Sequence, residues 1–209
     1  MIIHDVEQGS AEWHALRAGI PTASEFDKIL SPTGKKSAQA EGYANRLLAE
    51  LIVGGSVETW EGNVWTERGK ELEQEAADFY EMSKGVTLKK VGFITDNERT
   101  MGASPDRLIE GGGLLEIKCP SPHVHVAYLL KGEVDQGYNS QLQGQMLVTG
   151  EAWVDIVSYH PQMPPVIMRV KRDESYIKSL REALDEFTAT IEKKKASLIE
   201  AGHLTKEEA

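Results

Sequence analysis

The chain has 209 residues and a formal net charge of −10, from 33 acidic and 23 basic side chains. Hydrophobic residues make up 40% and charged residues 27%, a globular composition that excludes a disordered chain. Its one cysteine excludes internal disulfides and four-cysteine zinc or iron–sulfur sites, and no apolar stretch approaches the roughly 20 residues of a membrane span. The N-terminus lacks the basic and apolar regions of a secretory signal, so we expect a cytoplasmic protein.

The negative charge at first argues against a nucleic-acid partner, because such binding depends on neutralising phosphates. Its distribution weakens that argument, since residues 50–82 alone carry nine acidic and two basic side chains. An enzyme with a local basic groove can still be acidic overall. The charge therefore makes a DNA-binding protein less expected without excluding one.

The apolar periodicity predicts helices first and strands second. Four segments near the N-terminus have helical spacing, and the second begins with a capping box from Thr22 to Glu25: 10–18, 22–30, 43–52 and 64–83. Five segments alternate like strands: 86–95, 101–109, 114–118, 152–159 and 166–171. Three further segments are helical: 123–131, 135–149 and 173–201. This order predicts an α/β fold with a mixed sheet flanked by helices.

The clearest chemistry lies around the predicted turn at 110–113. Asp106 ends one strand and Glu116 lies on the next, so a hairpin centred on this turn brings Asp106 beside Glu116 or Ile117. Two adjacent carboxylates repel unless a cation lies between them, and their oxygens suit Mg²⁺. Lys118 shares the strand face of Glu116, where it can orient a water or offset developing negative charge. A hairpin with exposed charges is the alternative, although the apolar neighbours of Glu116 indicate a buried strand.

A second candidate site lies nearer the N-terminus. If Thr22 caps a helix, Ser24 lies in its first turn, where free N–H groups and the helix dipole attract an anion. Arg17 lies a short loop away, and arginine with serine at a helix N-terminus favours phosphate. The alternative is an exposed arginine beside an ordinary capping serine.

We do not expect three other residues with reactive side chains to act as metal ligands or nucleophiles. His123 and His125 flank the start of an apolar helix, so we expect them to be structural or exposed rather than metal ligands. Cys119 lies on the opposite strand face from Lys118, where a small buried thiol is expected.

Together these residues resemble the phage lambda exonuclease family, the YqaJ-type viral recombinases of the PD-(D/E)xK nuclease superfamily. An ordered set of motifs carries the resemblance: Trp13-His-x-x-Arg17, Thr22-Ala-Ser24, Gly69-Lys70-x-x-Glu73, Ser104-Pro-Asp106, Glu116-x-Lys118-Cys-Pro120 and Gln141-x-Gln143. It implies a restriction-endonuclease-like core with a central mixed β-sheet flanked by helices. We expect a single exonuclease domain over 1–209, with N-terminal helices at 10–83, a nuclease core at about 64–172 and a C-terminal helix at 173–201.

The resemblance also implies a role for each matching residue. Asp106, Glu116 and the carbonyl of Ile117 would bind Mg²⁺, for which Mn²⁺ could substitute. Lys118 would position the attacking water, and Glu73 would be a further acidic residue of the active site. Four residues would hold the terminal 5′-phosphate of DNA: Arg17, Ser24, Ser104 and Gln143. Gln141 is the alternative to Gln143, because the Gln-x-Gln pair leaves the register ambiguous by two.

The implied activity is a 5′-to-3′ exonuclease on double-stranded DNA ends. It would release 5′-mononucleotides and leave 3′ single-stranded tails for phage recombination in the bacterial host cell. The family implies a toroidal homotrimer and a single-strand annealing protein as partner. A restriction-like endonuclease and a catalytically inactive DNA-end or partner-binding module stay as alternatives.

The sequence departs from the family pattern at three places. Arg107 follows Asp106 where glycine would be unsurprising, and could add a phosphate contact. Loop 31–36 lacks an arginine that the family can place there. Residues 60–68 differ in apolar pattern, which leaves Trp65 as a candidate for the strand-separating wedge.

Overall fold

The computed structural model describes residues 1–57 and 64–204, with the side chains of 64–71, including the candidate wedge Trp65, outside the described part. Six α-helices are found there: α1 Ala11–Arg17, α2 Ala40–Val53, α3 Val64–Lys84, α4 Pro122–Lys131, α5 Asn139–Thr149 and α6 Glu174–Glu200. Two 3₁₀ helices cover Ala23–Lys28 and Gln136–Tyr138. None of the helices in the described ranges combines the length and apolarity needed to cross a bilayer.

Within these described ranges, eight strands form two sheets. They are β1 Ile2–His4, β2 Leu88–Lys90, β3 Phe93–Thr95, β4 Gly102–Ala103, β5 Arg107–Ile109, β6 Leu114–Lys118, β7 Trp153–His160 and β8 Met163–Lys171. The central sheet has the order β2-β5-β6-β7-β8 and the smaller one the order β1-β3-β4. In the central sheet β6 and β7 are parallel and the other neighbours antiparallel. The crossover through α4 and α5 provides the long connection that a parallel pair requires, and the predicted mixed sheet is confirmed.

The central sheet carries an apolar core on each face, because side chains alternate along its strands. Leu115 and Ile117 of β6 pack in the core beneath α3, whereas Leu114 belongs to the larger core with α5 and α6. Glu116 and Lys118 share the face of Leu114. Strand β6 therefore directs both charged side chains towards α5.

One glycine lets α5 pack closely against the N-terminal segment. A Cβ at Gly144 would lie 2.4 Å from the ring of Phe26, a fully buried residue of the first 3₁₀ helix. This contact brings the segment that carries Ser24 against the helix that carries Gln141.

Two predicted strands are each divided between the two sheets. The segment 86–95 forms β2 and β3, and the segment 101–109 forms β4 and β5. Gly92 lies at the first division, where a Cβ would be 1.9 Å from the Val6 carbonyl oxygen. Pro105 lies at the second, where it removes a backbone donor. The prediction of two continuous strands is wrong because the apolar pattern continues through the change of sheet.

The predicted capping-box helix at Thr22 is also wrong. The segment is a six-residue 3₁₀ helix, and the Thr22 side chain makes no capping hydrogen bond. Its backbone N–H donates instead to the Tyr43 hydroxyl at 3.1 Å. Glu25 pairs with Lys28 and Arg46 rather than returning to Thr22. Tertiary contacts thus take up the groups of Thr22 and Glu25 that a capping box would use. Because no α-helix begins here, the expected contribution of a helix dipole to an anion site is absent.

Candidate active site

The β5–β6 hairpin brings the predicted acidic residues together. Gly111–Gly113 close the turn with φ between 92° and 115°, a region that side chains rarely enter. The register of the two strands sets Asp106 opposite Glu116, just beyond the last paired residues. The Asp106 carboxylate accepts the backbone N–H of Ile117 at 2.5 Å. The predicted hairpin, centred on the glycine turn, is confirmed.

Glu116 is 3% exposed and is held by three side-chain donors. Lys118 Nζ and Gln141 Nε2 both donate to its Oε1 at 2.6 Å. Gln145 Nε2 donates to its Oε2 at 2.7 Å. A buried carboxylate is costly unless paired and hydrogen-bonded, so these donors stabilise its charged form. The predicted proximity of Glu116 and Lys118 on one strand face is confirmed.

The surrounding charges leave Asp106 with an affinity for a cation. Burial raises the pKa of Asp106, and the charges of Glu116 and Glu73 raise it further. Burial lowers the pKa of Lys118, but Glu116, Asp106 and Tyr138 together outweigh burial and hold that pKa above its ordinary value. Because the ammonium group is engaged by Glu116, Asp106 is the carboxylate that gains most from an added cation.

Glu73 extends from α3 towards Asp106 and pairs there with Arg107. Its Oε1 accepts from Arg107 Nη1 at 2.6 Å, and the same nitrogen donates to the Asp106 carbonyl at 2.7 Å. Arg107 is 4% exposed and lies opposite Leu115 in the ladder, on the face covered by α3. The suggested phosphate contact by Arg107 is therefore wrong, because its guanidinium is buried against Glu73.

The donor atoms of this site suit a hard divalent cation. Asp106 and Glu116 offer carboxylate oxygens, and the Ile117 carbonyl points to the same edge of β6 as the N–H that Asp106 accepts. Within the described ranges, no three His, Cys, Asp or Glu side chains form a group able to enclose a metal. Mg²⁺ needs no such enclosure, since it retains waters and binds through one or two carboxylates together with substrate phosphates. The residues present therefore fit Mg²⁺.

Arg17 organises a second polar cluster. Together with Thr22 and Ser24 it lines a cleft of about 640 Å³. Its guanidinium donates to the hydroxyls of Ser104 at 3.3 Å and Thr22 at 3.1 Å, and Thr22 Oγ1 lies 3.4 Å from Ser24 Oγ. Burial lowers the pKa of Arg17, yet a guanidinium stays charged near neutral pH. We call Arg17, Thr22, Ser24 and Ser104 the Arg17 cluster; it contains three of the four predicted phosphate residues.

Trp13 supports this cluster in a way that the sequence analysis missed. Its ring lies 4.0 Å from the Arg17 guanidinium carbon. Its indole N–H donates to the Ser104 hydroxyl at 3.1 Å and to the Gly92 carbonyl at 3.2 Å. Stacking on an aromatic ring fixes the plane of a guanidinium. The spacing of Trp13 and Arg17, one turn of α1, is the signal that could have identified this pair.

The fourth predicted phosphate residue, Gln143, lies elsewhere. It is 2% exposed, and its amide donates to the Lys171 carbonyl and accepts the Asp173 N–H, both at 2.9 Å. Residues two apart on an α-helix face nearly opposite sides, so α5 turns Gln141 towards Glu116 when Gln143 faces β8. The prediction for Gln143 is wrong, and the alternative, Gln141, is the glutamine at the site.

We call Asp106, Glu116 and Lys118 the acidic site. Ser24 lies between the Arg17 cluster and this site. Besides the larger cleft, it lines a cavity of about 280 Å³ that also contains Tyr138 and Gln141. Gln141 in turn bonds Glu116, and the Tyr138 ring lies 4.9 Å from Lys118 Nζ. The Arg17 cluster, which attracts an anion, therefore adjoins the acidic site, which attracts a cation.

The two histidines have the structural or exposed roles expected of them. His125 is fully buried, with its ring nitrogens 2.7 Å from Ser158 Oγ and 2.9 Å from the Pro164 carbonyl. His123 is exposed and contacts Ser121 Oγ at 3.3 Å. Cys119, the one cysteine of the chain, is partly buried against the α3-side core.

Comparison with known proteins identifies the family. Residues 12–152 match the model of the YqaJ-like viral recombinase domain, and the chain therefore belongs to the YqaJ-like viral recombinase family. An alkaline exonuclease from Laribacter hongkongensis is similar in structure, with a TM-score of 0.83 and 31% identity over 92% of this chain and 98% of that one. The same exonuclease in complex with dAMP gives 0.82 and 30%, with equal coverage. No curated protein matches this chain.

A more distant structure supports the fold alone. A phage-related exonuclease from Haemophilus somnus has a TM-score of 0.66 and 18% identity over 86% of this chain and 96% of that one. The family and the restriction-endonuclease-like fold predicted from the sequence motifs are confirmed.

Proposed function

We propose that this protein is a Mg²⁺-dependent exonuclease that degrades one strand of double-stranded DNA from its 5′ end. The observation that carries the proposal is that Ser24 of the Arg17 cluster lines one cavity with Gln141, which bonds Glu116 of the acidic site. The acidic site suits a divalent cation and the Arg17 cluster a terminal phosphate, which are the two groups that a phosphodiester hydrolase working at a DNA end must hold. The similar alkaline exonuclease, solved also with dAMP, supports this activity.

Each residue of the acidic site has a distinct role in the proposed hydrolysis. Asp106, Glu116 and the Ile117 carbonyl hold Mg²⁺, or Mn²⁺ in its place, which when bound supplies Lewis-acid stabilisation of the phosphoryl oxygens. Lys118 is engaged as a donor to Glu116 and stays protonated, so it orients the attacking water and offsets phosphate charge rather than acting as a base. Gln141 contacts both Glu116 and Lys118 and restrains the pair.

The Arg17 cluster binds the terminal 5′-phosphate. The planar guanidinium fork matches two phosphate oxygens, and the nearby serine hydroxyls add neutral donors. Water attacks the next phosphorus, the bond to the 3′-oxygen breaks, and the terminal nucleotide leaves as a 5′-mononucleotide. The shortened strand again begins with a 5′-phosphate, which the cluster can bind in the following cycle. Repeated cycles of this reaction leave a 3′ single-stranded tail.

We further propose that three copies form a ring around DNA in the bacterial host cell and deliver the tail to a single-strand annealing protein. Family membership supports this assembly. Sedimentation velocity should give the mass of a trimer, and a stable monomer at working concentrations would overturn the ring.

Linear and covalently closed duplexes test the proposed activity. With Mg²⁺, the wild type should convert the linear duplex into 5′-mononucleotides and leave closed circles intact, and chelation should stop the reaction. Nicking of closed circles would indicate a restriction-like endonuclease instead. Binding of ends without hydrolysis would indicate an inactive end-binding module. A preparation of Asp106→Asn, purified identically, controls for contaminating nucleases.

A further inference from the structure

The buried amide of Gln145 lies against the proposed metal ligand Glu116. Gln145 is 1% exposed, and its Nε2 donates to Glu116 Oε2 at 2.7 Å. The reverse orientation of the amide would set its oxygen against the carboxylate, so repulsion fixes the NH₂ group towards Glu116. Gln141 lies four residues earlier, on the same face of α5. One helix face therefore presents two amides to the carboxylate, one to each of its oxygens.

The other end of the same amide gives a second, independent observation. Gln145 Oε1 is fully buried and has no hydrogen-bond partner among the residues that the structure describes. Folded proteins retain few buried acceptors in this condition, because an unpaired one destabilises the native state. The α5 residues on either side of it in the core, Leu142 and Met146, are apolar and fully packed. A methionine at position 145 would fill a similar volume and remove this unpaired acceptor, but it would also remove the donor to Glu116 Oε2.

We infer that Gln145 is a positioning residue for the metal site, an inference that rests on the proposed function. Its NH₂ group holds Glu116 in one orientation, so that the carboxylate does not have to be reordered when a cation binds. Its carbonyl oxygen is free to accept a donor that enters with the cation, such as a water of hydration, several of which Mg²⁺ retains. Partners of this kind orient metal ligands without touching the ion.

Gln143 provides a matched control on the same helix. It is also buried, but both ends of its amide bond the backbone at the junction of β8 and α6. Gln145→Met and Gln143→Met each replace one buried amide of α5 by a side chain of similar length. Only the first removes a contact to Glu116, so the pair separates an effect on the site from an effect on the fold.

Calorimetric titration of Mn²⁺ into the metal-free full-length protein gives the readout without turnover. We expect Gln145→Met to raise the Kd for Mn²⁺ by about 10–100-fold, as removal of such partners does in other metal sites. Its melting temperature without metal should fall less than that of Gln143→Met, because removal of the unpaired acceptor offsets the loss of the donor to Glu116. Gln143→Met should lower the melting temperature and leave the Kd within about twofold of wild type. Equal Kd values for wild type and Gln145→Met, or failure of Gln145→Met to fold, would overturn the inference.

Glu116→Gln separates this inference from the proposed function. If the wild type binds no Mn²⁺, or if Glu116→Gln binds it as tightly as the wild type, the proposed metal site itself is wrong. If Glu116→Gln loses binding while Gln145→Met retains the wild-type Kd, only the role of Gln145 is wrong.

Discussion

The acidic site and the Arg17 cluster adjoin, yet they are built for opposite charges. In the acidic site, Asp106 directly precedes β5, Glu116 lies on the neighbouring strand β6, and the nearby ammonium group of Lys118 already bonds Glu116. In the Arg17 cluster, one guanidinium is surrounded by neutral hydroxyls and an aromatic ring. The first arrangement is completed by a cation and the second by an anion.

This difference shows why the net charge is a poor guide to the ligands of this protein. The cleft beside Arg17 contains Glu25 and Glu50, but Arg46 pairs with both of them. The chain as a whole carries a charge of −10, whereas the groups that face Arg17 directly are hydroxyls. Local pairing, rather than the total, therefore determines what each region attracts.

Removing a carboxylate from the acidic site should have the largest effect. Asp106→Asn and Glu116→Gln should each slow cleavage at least about 10³-fold, because the lost Lewis-acid stabilisation amounts to several kcal/mol and each 1.36 kcal/mol is about one decade. Binding of duplex ends should survive, since the Arg17 cluster is intact. Single-turnover cleavage and fluorescence anisotropy measure the two properties. Asp96→Asn, in a turn where Asp96 bonds Thr100, is the control, and near wild-type rates for the site variants would remove them from the mechanism.

Replacing the lysine should separate catalysis from metal binding within the same site. Lys118→Met should slow cleavage about 10²–10³-fold, the loss typical of removing one donor to developing charge. The Kd for Mn²⁺ should not rise, because Glu116 loses a competitor for its oxygen. Lys131→Met, on the exposed side of α4, is the control. Unchanged turnover would show that Lys118 takes no part in the chemistry.

A change in the Arg17 cluster should act only on phosphorylated ends. Arg17→Ala should reduce the rate on 5′-phosphate ends by about 10–100-fold, since a charge-assisted hydrogen bond contributes about 1.5–3 kcal/mol. Rates on 5′-hydroxyl ends should change little. Arg181→Ala, on the exposed face of α6, is the control. Retention of full end discrimination by Arg17→Ala would contradict the proposed phosphate site.

The support given by Trp13 should produce the smallest effect. Trp13→Phe keeps a ring beside Arg17 but removes the indole donor to Ser104 and Gly92. A neutral hydrogen bond contributes about 0.5–1.5 kcal/mol, so the preference for 5′-phosphate ends should fall roughly 2–10-fold. The loss should appear mainly in KM, and an unaltered preference would mean that stacking alone positions Arg17.

The two regions also differ in how far the sequence reveals them. Asp106, Glu116 and Lys118 lie within one hairpin, so strand alternation and a glycine turn are sufficient to predict their proximity. Arg17 and Ser104 are 87 residues apart and meet only through packing between elements. The capping-box pattern at Thr22 predicted a helix that does not form, because the Thr22 N–H donates to Tyr43 and Glu25 pairs with Lys28 and Arg46.

The central helix α5 illustrates what a periodic pattern leaves open. Helical structure over 135–149 was predictable, but the helix is buried on almost every side and offers no polar face to fix its rotation. The direction of Gln141 and Gln143 consequently depended on how α5 lies across β6. The same packing determines the contact between Gln145 and Glu116, and only the four-residue spacing from Gln141 hints at it.

The most direct test of the central claim follows two labels on one strand of a linear duplex. The strand carries one label on its 5′-phosphorylated terminal nucleotide and another at its 3′ end, and the reaction is started with Mg²⁺. We predict that the 5′ label leaves first, as a mononucleotide, and that a 5′-hydroxyl in place of the phosphate slows its release about tenfold or more. Release of the 3′ label first, or equal rates from phosphate and hydroxyl ends, would contradict the account.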